Sequence, residues 1–313
     1  MSKKIDLITV CFSNDMKLLQ LQARSVRLFM DPSLVGQILL VINDRNVRGV
    51  ERFIKRSILP EYGVFASKVR VLSGHTVIGA KQKRFGWGSQ QALKLLAVRY
   101  ACAATVMILD CKVHFVRSVT NEHIWMPDGR IKTRKYPVID RFRGYFDNAC
   151  NYFGVGSVAN GQPVLPTVPP FIVPSKIVCQ MLETMENQEG RSFFDLFLQK
   201  KRRFTEFYLL HAYMMSLHGG IDGLYKQTPF QAVSLMASFK ENEALVAEKI
   251  NALNETDTYC FAVHRVVLEA GNEAIADQII AVWQQFGLAC SEAESRSFLM
   301  PPQFPAKWRF WLF

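Results

Sequence analysis

Ile5 to Phe12 (IDLITVCF) is a continuous apolar, β-rich run, the pattern of a strand buried on both faces of a parallel sheet. From Asp15 to Met30 the apolar residues Leu18, Leu19, Val26 and Phe29 recur at helical spacing. Gln37 to Ile42 (QILLVI) predicts a second strand, Val50 to Ile58 a helix that stops at Pro60, and Val69 to Leu72 a short third strand. Gly88 to Ala104 predicts a helix and Thr105 to Leu109 (TVMIL) a fourth strand. Strands apolar on both faces, alternating with helices, imply an α/β fold with a doubly wound, mostly parallel sheet.

Past Asp110 the pattern breaks into short strands and turns, with Pro127-Asp128-Gly129 a turn signal and Leu165 to Pro174 a Pro-rich loop. Helices are predicted again at Ser175 to Glu186, Phe193 to Lys200, Thr205 to Leu217, Ser238 to Leu253 and Asn272 to Phe286. The expected organisation is an α/β domain over residues 1–235 with a helical C-terminal extension over 236–313 packed on it.

Composition narrows the class. At 313 residues with 49% hydrophobic positions the chain can bury a sizeable core, which sets disorder aside. Lys94 and Arg99 interrupt the longest apolar candidate, Ala92 to Leu109, so no run reaches the roughly 18 residues of a membrane span. Met1-Ser2-Lys3-Lys4 leads straight into a strand without a signal-peptide stretch, and a cytoplasmic protein is expected. Seven scattered cysteines without a C-x-x-C pair point to reduced thiols rather than disulfides or structural zinc. A net charge of +11 favours an anionic partner, and does not by itself choose between a phosphate-bearing small molecule, an acidic polymer, a lipid surface and nucleic acid.

In an open parallel sheet, ligands bind at the carboxyl edge of the strands. Two polar clusters follow strands there: Cys11-Phe12-Ser13-Asn14-Asp15, and Asp110-Cys111-Lys112. A carboxylate ending a TVMIL strand is poorly solvated and needs a cation or donors; otherwise it is a cap or turn former.

The helix GWGSQQALKL, the strand TVMILD and the following Cys111-Lys112-Val113-His114-Phe115-Val116-Arg117 resemble GT-A-type glycosyltransferases. More narrowly they resemble a bacterial family found among surface-polysaccharide genes, over about the first 265 residues. The resemblance implies a GT-A-like fold, a nucleotide-sugar donor, a saccharide acceptor that is lipid-linked in some such systems, and a D-x-D motif holding Mn²⁺ or Mg²⁺ against the donor diphosphate. It assigns Thr9 and Asp15 on and after the opening strand, Gln90, Gln91 and Lys94 on the preceding helix, Lys112 and late His264 to the donor site. Asp110 is the first acid of the motif and a metal ligand, but Lys112 stands where the second acid belongs. One carboxylate beside one ammonium offers no net charge to a hard cation. A lysine there either neutralises diphosphate itself or points to solvent.

Gln90 and Lys94, at i and i+4, share a helix face. Lys81, Lys83 and Arg84, in the loop before, either close over a diphosphate or are simply solvated. In Arg202-Arg203-Phe204-Thr205-Glu206, Thr205 reads as an N-cap with Glu206 in the first turn, where the dipole and the two arginines favour its charged form. Inverting sugar transfer needs a carboxylate base, and the resemblance puts one at such a helix start, so Glu206 is the candidate base and Asp110 the second catalytic candidate.

Gly154-Val155-Gly156-Ser157-Val158-Ala159 matches a dinucleotide fingerprint but lies mid-chain without an opening βαβ unit. G-x-x-x-x-G-K-[ST], H-E-x-x-H and G-x-S-x-G are missing, which sets aside P-loop, zinc-protease and α/β-hydrolase chemistry. Pro305 to Phe313 (PAKWRFWLF) suits either a lipid interface, as peripheral membrane contact at the inner face, or packing on its own domain. The reading is therefore a glycosyltransferase; the alternative is a non-catalytic basic binder of polyanions. Nucleic acid is not the expected partner, because the cations are dispersed and no recognition motif appears.

Overall fold

The strands β1 (Ile5–Cys11), β2 (Val35–Ile42), β3 (Val69–Ser73) and β4 (Thr105–Asp110) lie side by side in the order β3-β2-β1-β4, all parallel. The computed structural model describes residues 3–157, 161–229 and 231–301. Every residue of β1 is buried, as its unbroken apolar run demands. Each fully buried Ile, Leu or Val contributes about 1.5–3 kcal/mol, so these central strands anchor the domain. The sheet is α/β and mostly parallel, with helices on both faces and a helical C-terminal part, as the sequence predicts.

The strand Phe171–Pro174 pairs antiparallel with β4, Phe171 opposite Ile108. Part of the predicted Leu165 to Pro174 loop is thus a strand, because apolar Phe171, Ile172 and Val173 find a free sheet edge to cover.

The helix α1 (Met16–Phe29) follows β1, α2 (Val47–Phe53) follows β2, and α3 (Gly74–Ile78) and α4 (Trp87–Leu96) separate β3 from β4. Pro60 does not end the helical path after β2. It sits in the first turn of a 3₁₀ segment, Leu59–Lys68, where the missing N–H costs nothing. The helix predicted over Gly88 to Ala104 stops earlier, in a 3₁₀ turn at Ala97–Tyr100. Beyond it, Cys102 N and Ala103 N donate to buried Asp6 Oδ2 at 2.6 and 2.9 Å, a tertiary demand that outweighs local helix preference.

After β4 the chain turns into β5 (Val113–Phe115). β5 pairs antiparallel with Cys260–Val263, which runs parallel to Ala232–Leu235. The helices Glu243–Glu255, Glu273–Gln285 and Glu292–Leu299 pack beside that small sheet, with Trp283 fully buried among them. All seven cysteines are free thiols. No helix among the described residues is long and apolar enough to cross a membrane. The Pro305 to Phe313 tail lies outside the described residues, as do Val158 and Ala159 of the Gly-rich match.

Candidate active site

A cavity of about 820 Å³ opens at the carboxyl edge of the sheet, where β1, β2 and β4 end. A cavity of the same volume at the amino edge is lined by Lys3, Lys4 and Arg130 with Asp6, but the Asp6 carboxylate is satisfied by backbone N–H groups and Gln37. The chemistry gathers at the carboxyl edge.

Its floor is a chain of alternating charges. Lys94 Nζ lies 2.6 Å from Asp110 Oδ1 and 3.0 Å from Glu206 Oε1, and Lys112 Nζ lies 2.7 Å from Asp110 Oδ2. Lys94 comes from α4, Asp110 from the end of β4, Lys112 from the turn after it, and Glu206 from the first turn of the helix Glu206–His218. The Lys94 side chain is 5% exposed and the Lys112 side chain 27%. Lys94 is thus locked between two carboxylates, whereas Lys112 reaches solvent. Burial opposes charge on Lys94, Asp110 and Glu206. In Asp110 that rise is outweighed by Lys112 and Lys94, which hold the carboxyl well below the ordinary range. Burial disfavours the Lys94 ammonium, but Asp110 and Glu206 outweigh it and raise its pKa. In Glu206 burial prevails and lifts the carboxyl, with Lys94 offsetting only part.

The helix start at Glu206 differs from expectation in two respects. Thr205 occupies the N-cap position with extended backbone, but its hydroxyl makes no capping bond; Gln91 Oε1 accepts from Glu206 N instead, at 3.2 Å. The cation beside Glu206 is Lys94, not the adjacent arginines. Arg202 pairs with Glu189 at 2.7 Å and Arg203 lies over the Tyr145 ring at 5.0 Å, since a helix start aims neighbouring side chains in different directions. Gln91 Nε2 and Thr205 Oγ1, both buried and both lining the cavity, have no hydrogen-bond partner. Such groups each cost about 1–3 kcal/mol unless a ligand satisfies them.

Asp15 lines the cavity mouth, 3.8 Å from Arg265. Burial pushes its carboxyl up to about 6, against the opposing pull of Arg265 and Lys112. His264 is brought in by Val263 N, which donates to Lys112 O at 3.2 Å. His264 Nδ1 accepts from Val266 N at 3.2 Å, capping a short helix, and burial lowers the ring's pKa, with Lys112 adding to the effect. Gln90 also lines the cavity. Thr9 does not: its buried hydroxyl donates to Gln22 Oε1 at 2.8 Å. Lys81, Lys83 and Arg84 are exposed and none lines the cavity. Of that loop Gln82 turns inward, donating to Asn43 Oδ1 at 2.7 Å.

Several residues here were not singled out from the sequence. Gln22 Nε2 donates to Asp110 O at 2.7 Å and Val113 O at 3.0 Å, fixing the turn that carries Lys112. Asn43 and Asp44 end β2 at the cavity; Asp44 Oδ2 accepts from Ser13 N at 2.8 Å and Asn43 Nδ2 donates to Gly86 O at 3.2 Å. The rule that picks out Asp110, a polar residue just past a buried strand, picks out this pair as well. Trp87 stands 56% exposed at the rim.

Mn²⁺ or Mg²⁺ does not fit these residues. Both Asp110 oxygens are engaged by ammonium groups, the second position of the motif is itself a cation, and Glu206 is held by Lys94. Among the described residues no group of three or more His, Cys, Asp or Glu side chains is gathered to hold a metal ion.

The model of DUF6492, a family of unknown function, matches residues 3–275. No curated protein matches the chain in sequence. Among solved structures, it is similar to the galactosyltransferase LgtC in complex with donor and acceptor sugar analogues, at 14% identity and TM-score 0.47, covering 97% of this chain and 99% of that one. It is similar to the bifunctional glycosyltransferase WbbM at 11% identity and TM-score 0.48, over 92% of this chain and 51% of that one. For mouse xyloside xylosyltransferase 1 the identity is 13% and the TM-score 0.43, over 83% and 97%.

Proposed function

The chain belongs to the DUF6492 family, whose function is not known, and we propose that it is a glycosyltransferase moving a sugar from a nucleoside-diphosphate donor to a saccharide acceptor. The observation that carries this reading is the convergence of Asp110, Glu206, Lys94 and Lys112 on one cavity at the carboxyl edge of a parallel sheet, where such folds bind nucleotides. The orphaned Gln91 Nε2 and Thr205 Oγ1 support a polyhydroxylated ligand, since sugar hydroxyls would complete both.

In this reading the acceptor oxygen attacks the anomeric carbon and its proton passes to the Glu206 carboxylate. The bond from that carbon to the diphosphate breaks, and its electron pair leaves on the diphosphate oxygen. Glu206 suits the base because burial lifts its carboxyl, which strengthens it as a proton acceptor. Asp110 is a positioning residue that aims Lys112 and Lys94. The acceptor belongs to a polysaccharide or related glycan, and the donor site comprises Asp15, Gln90, Gln91, Lys112 and His264.

A thermal-shift screen with nucleoside diphosphates and nucleotide sugars, followed by an assay of nucleoside diphosphate release, tests the reading. A ligand at 100 times its Kd stabilises the fold by about 2.7 kcal/mol, well within detection. No shift with any nucleotide would leave the alternative, a non-catalytic basic binder.

A further inference from the structure

We propose that this protein binds the diphosphate of its donor without a divalent metal, using the Lys112 ammonium, handed over by Asp110, as the cation that faces the leaving group, with Arg265 beside it. The inference rests on the glycosyltransferase reading and adds how the site handles charge.

Five cationic side chains and four carboxylates line the cavity, so the site is close to neutral and has little fixed positive potential to spare for a diphosphate. Arg45 and Arg141 stand exposed at the rim over the Phe85 and Phe142 rings; of the cations held by carboxylates at the floor, the geometry selects which one can be released. Lys94 is gripped from both sides by Asp110 and Glu206 and is nearly solvent-free. Moving it would strand two buried carboxylates, which costs several kcal/mol. Lys112 meets Asp110 from the open side and is 27% exposed. When it turns to a phosphate oxygen, Asp110 keeps Lys94 as counter-ion. One charge-assisted bond is exchanged for another and no buried charge is orphaned.

Arg265 occupies the rim next to His264, over the Phe12 ring at 5.3 Å and 3.8 Å from Asp15. It offers a planar fork suited to phosphate oxygens. Lys112 and Arg265 together carry the two positive charges a divalent ion would bring. In transfer they face the oxygen that receives the electron pair of the broken bond, and their stabilisation grows as its charge grows.

Calorimetry on the full chain with UDP, GDP, ADP and CDP, in EDTA and again in Mn²⁺, tests this. For whichever nucleotide binds, the expected Kd in EDTA lies within about twofold of that in Mn²⁺, a difference of about 0.4 kcal/mol. Lys112→Ala, a substitution at a partly exposed site, is expected to weaken the diphosphate by about tenfold or more while weakening the matching monophosphate less. Lys112→Asp rebuilds an acid pair with Asp110 and is expected to make binding Mn²⁺-dependent. Binding that appears only with the ion, or an alanine variant with unchanged diphosphate affinity, overturns the metal-free site and leaves the glycosyltransferase reading standing. Failure of every nucleoside diphosphate to bind under either condition overturns that reading and this inference with it.

Discussion

Asp110 and Glu206, far apart in the sequence, hold the same nitrogen, Lys94 Nζ, at 2.6 and 3.0 Å. One buried ammonium thereby keeps two carboxylates in a single cleft, and its removal has a signature in pH. Lys94→Met leaves two buried acids without their shared counter-ion, at an expected cost of about 3–5 kcal/mol near neutral pH. In that variant both carboxyls rise, so its stability falls as pH rises through the raised values. The deficit against the natural protein should therefore shrink toward acid pH, as denaturant unfolding at pH 4 and 7 would reveal; a pH-independent loss would count against the shared ion pair.

Glu206→Gln is expected to keep donor affinity and lower turnover by about 10²- to 10⁴-fold, the range for a missing general base. Since burial raises the Glu206 carboxyl, turnover of the natural protein should fall as pH drops through that raised value. The glutamine variant should be flat over the same window. Steady-state rates across the acid range check both.

Asp15 titrates near 6 in the fold and at 3.8 ordinarily. An acid whose pKa is raised on folding gives stability that is present below the unfolded value and lost as pH rises through the folded one. Asp15→Asn should remove that loss, making the variant up to about 3 kcal/mol more stable relative to the natural protein at pH 7 than at pH 3.5, from about 1.36 kcal/mol per pKa unit. Thermal midpoints across that interval measure it, and parallel curves would show that Asp15 is solvated.

At the amino edge, a Cβ on Gly36 would sit 2.4 Å from Asp6 Oδ1. That carboxylate cannot easily retreat, since it accepts from Gln37, Cys102 and Ala103. Gly36→Ala should cost about 1–3 kcal/mol of stability without affecting ligand affinity at the opposite edge. Chemical denaturation paired with nucleotide titration tests the separation.

The strands of the main sheet were legible because residues such as Ile8, Leu40 and Ile108 belong to unbroken apolar runs that only burial on both faces satisfies, and Asp110 stood out as the acid that ends such a run. What stayed hidden depends on approach through space. Nothing in the spacing of Arg202 and Arg203 tells that Lys94, from another helix, becomes the partner of Glu206. Gln22 reads as one more polar position in an amphipathic helix until β4 and β5 close over it. The Phe171–Pro174 strand was masked by Pro169 and Pro170 before it and by Pro174 at its end, where an antiparallel edge tolerates a proline. Thr9 followed the pattern of its strand correctly, yet faces Gln22 rather than the cavity.

Gln22 ties Thr9, Asp110 O and Val113 O through one amide, and this has a kinetic meaning. The turn bearing Asp110 and Lys112 is braced before any ligand arrives, so the incoming molecule does not have to fold its own floor. Association should then proceed at the pace of diffusive encounter, with a single exponential in stopped flow and an on-rate that climbs as salt is withdrawn. Gln22→Leu would loosen the brace and introduce a slow, ligand-independent step ahead of capture.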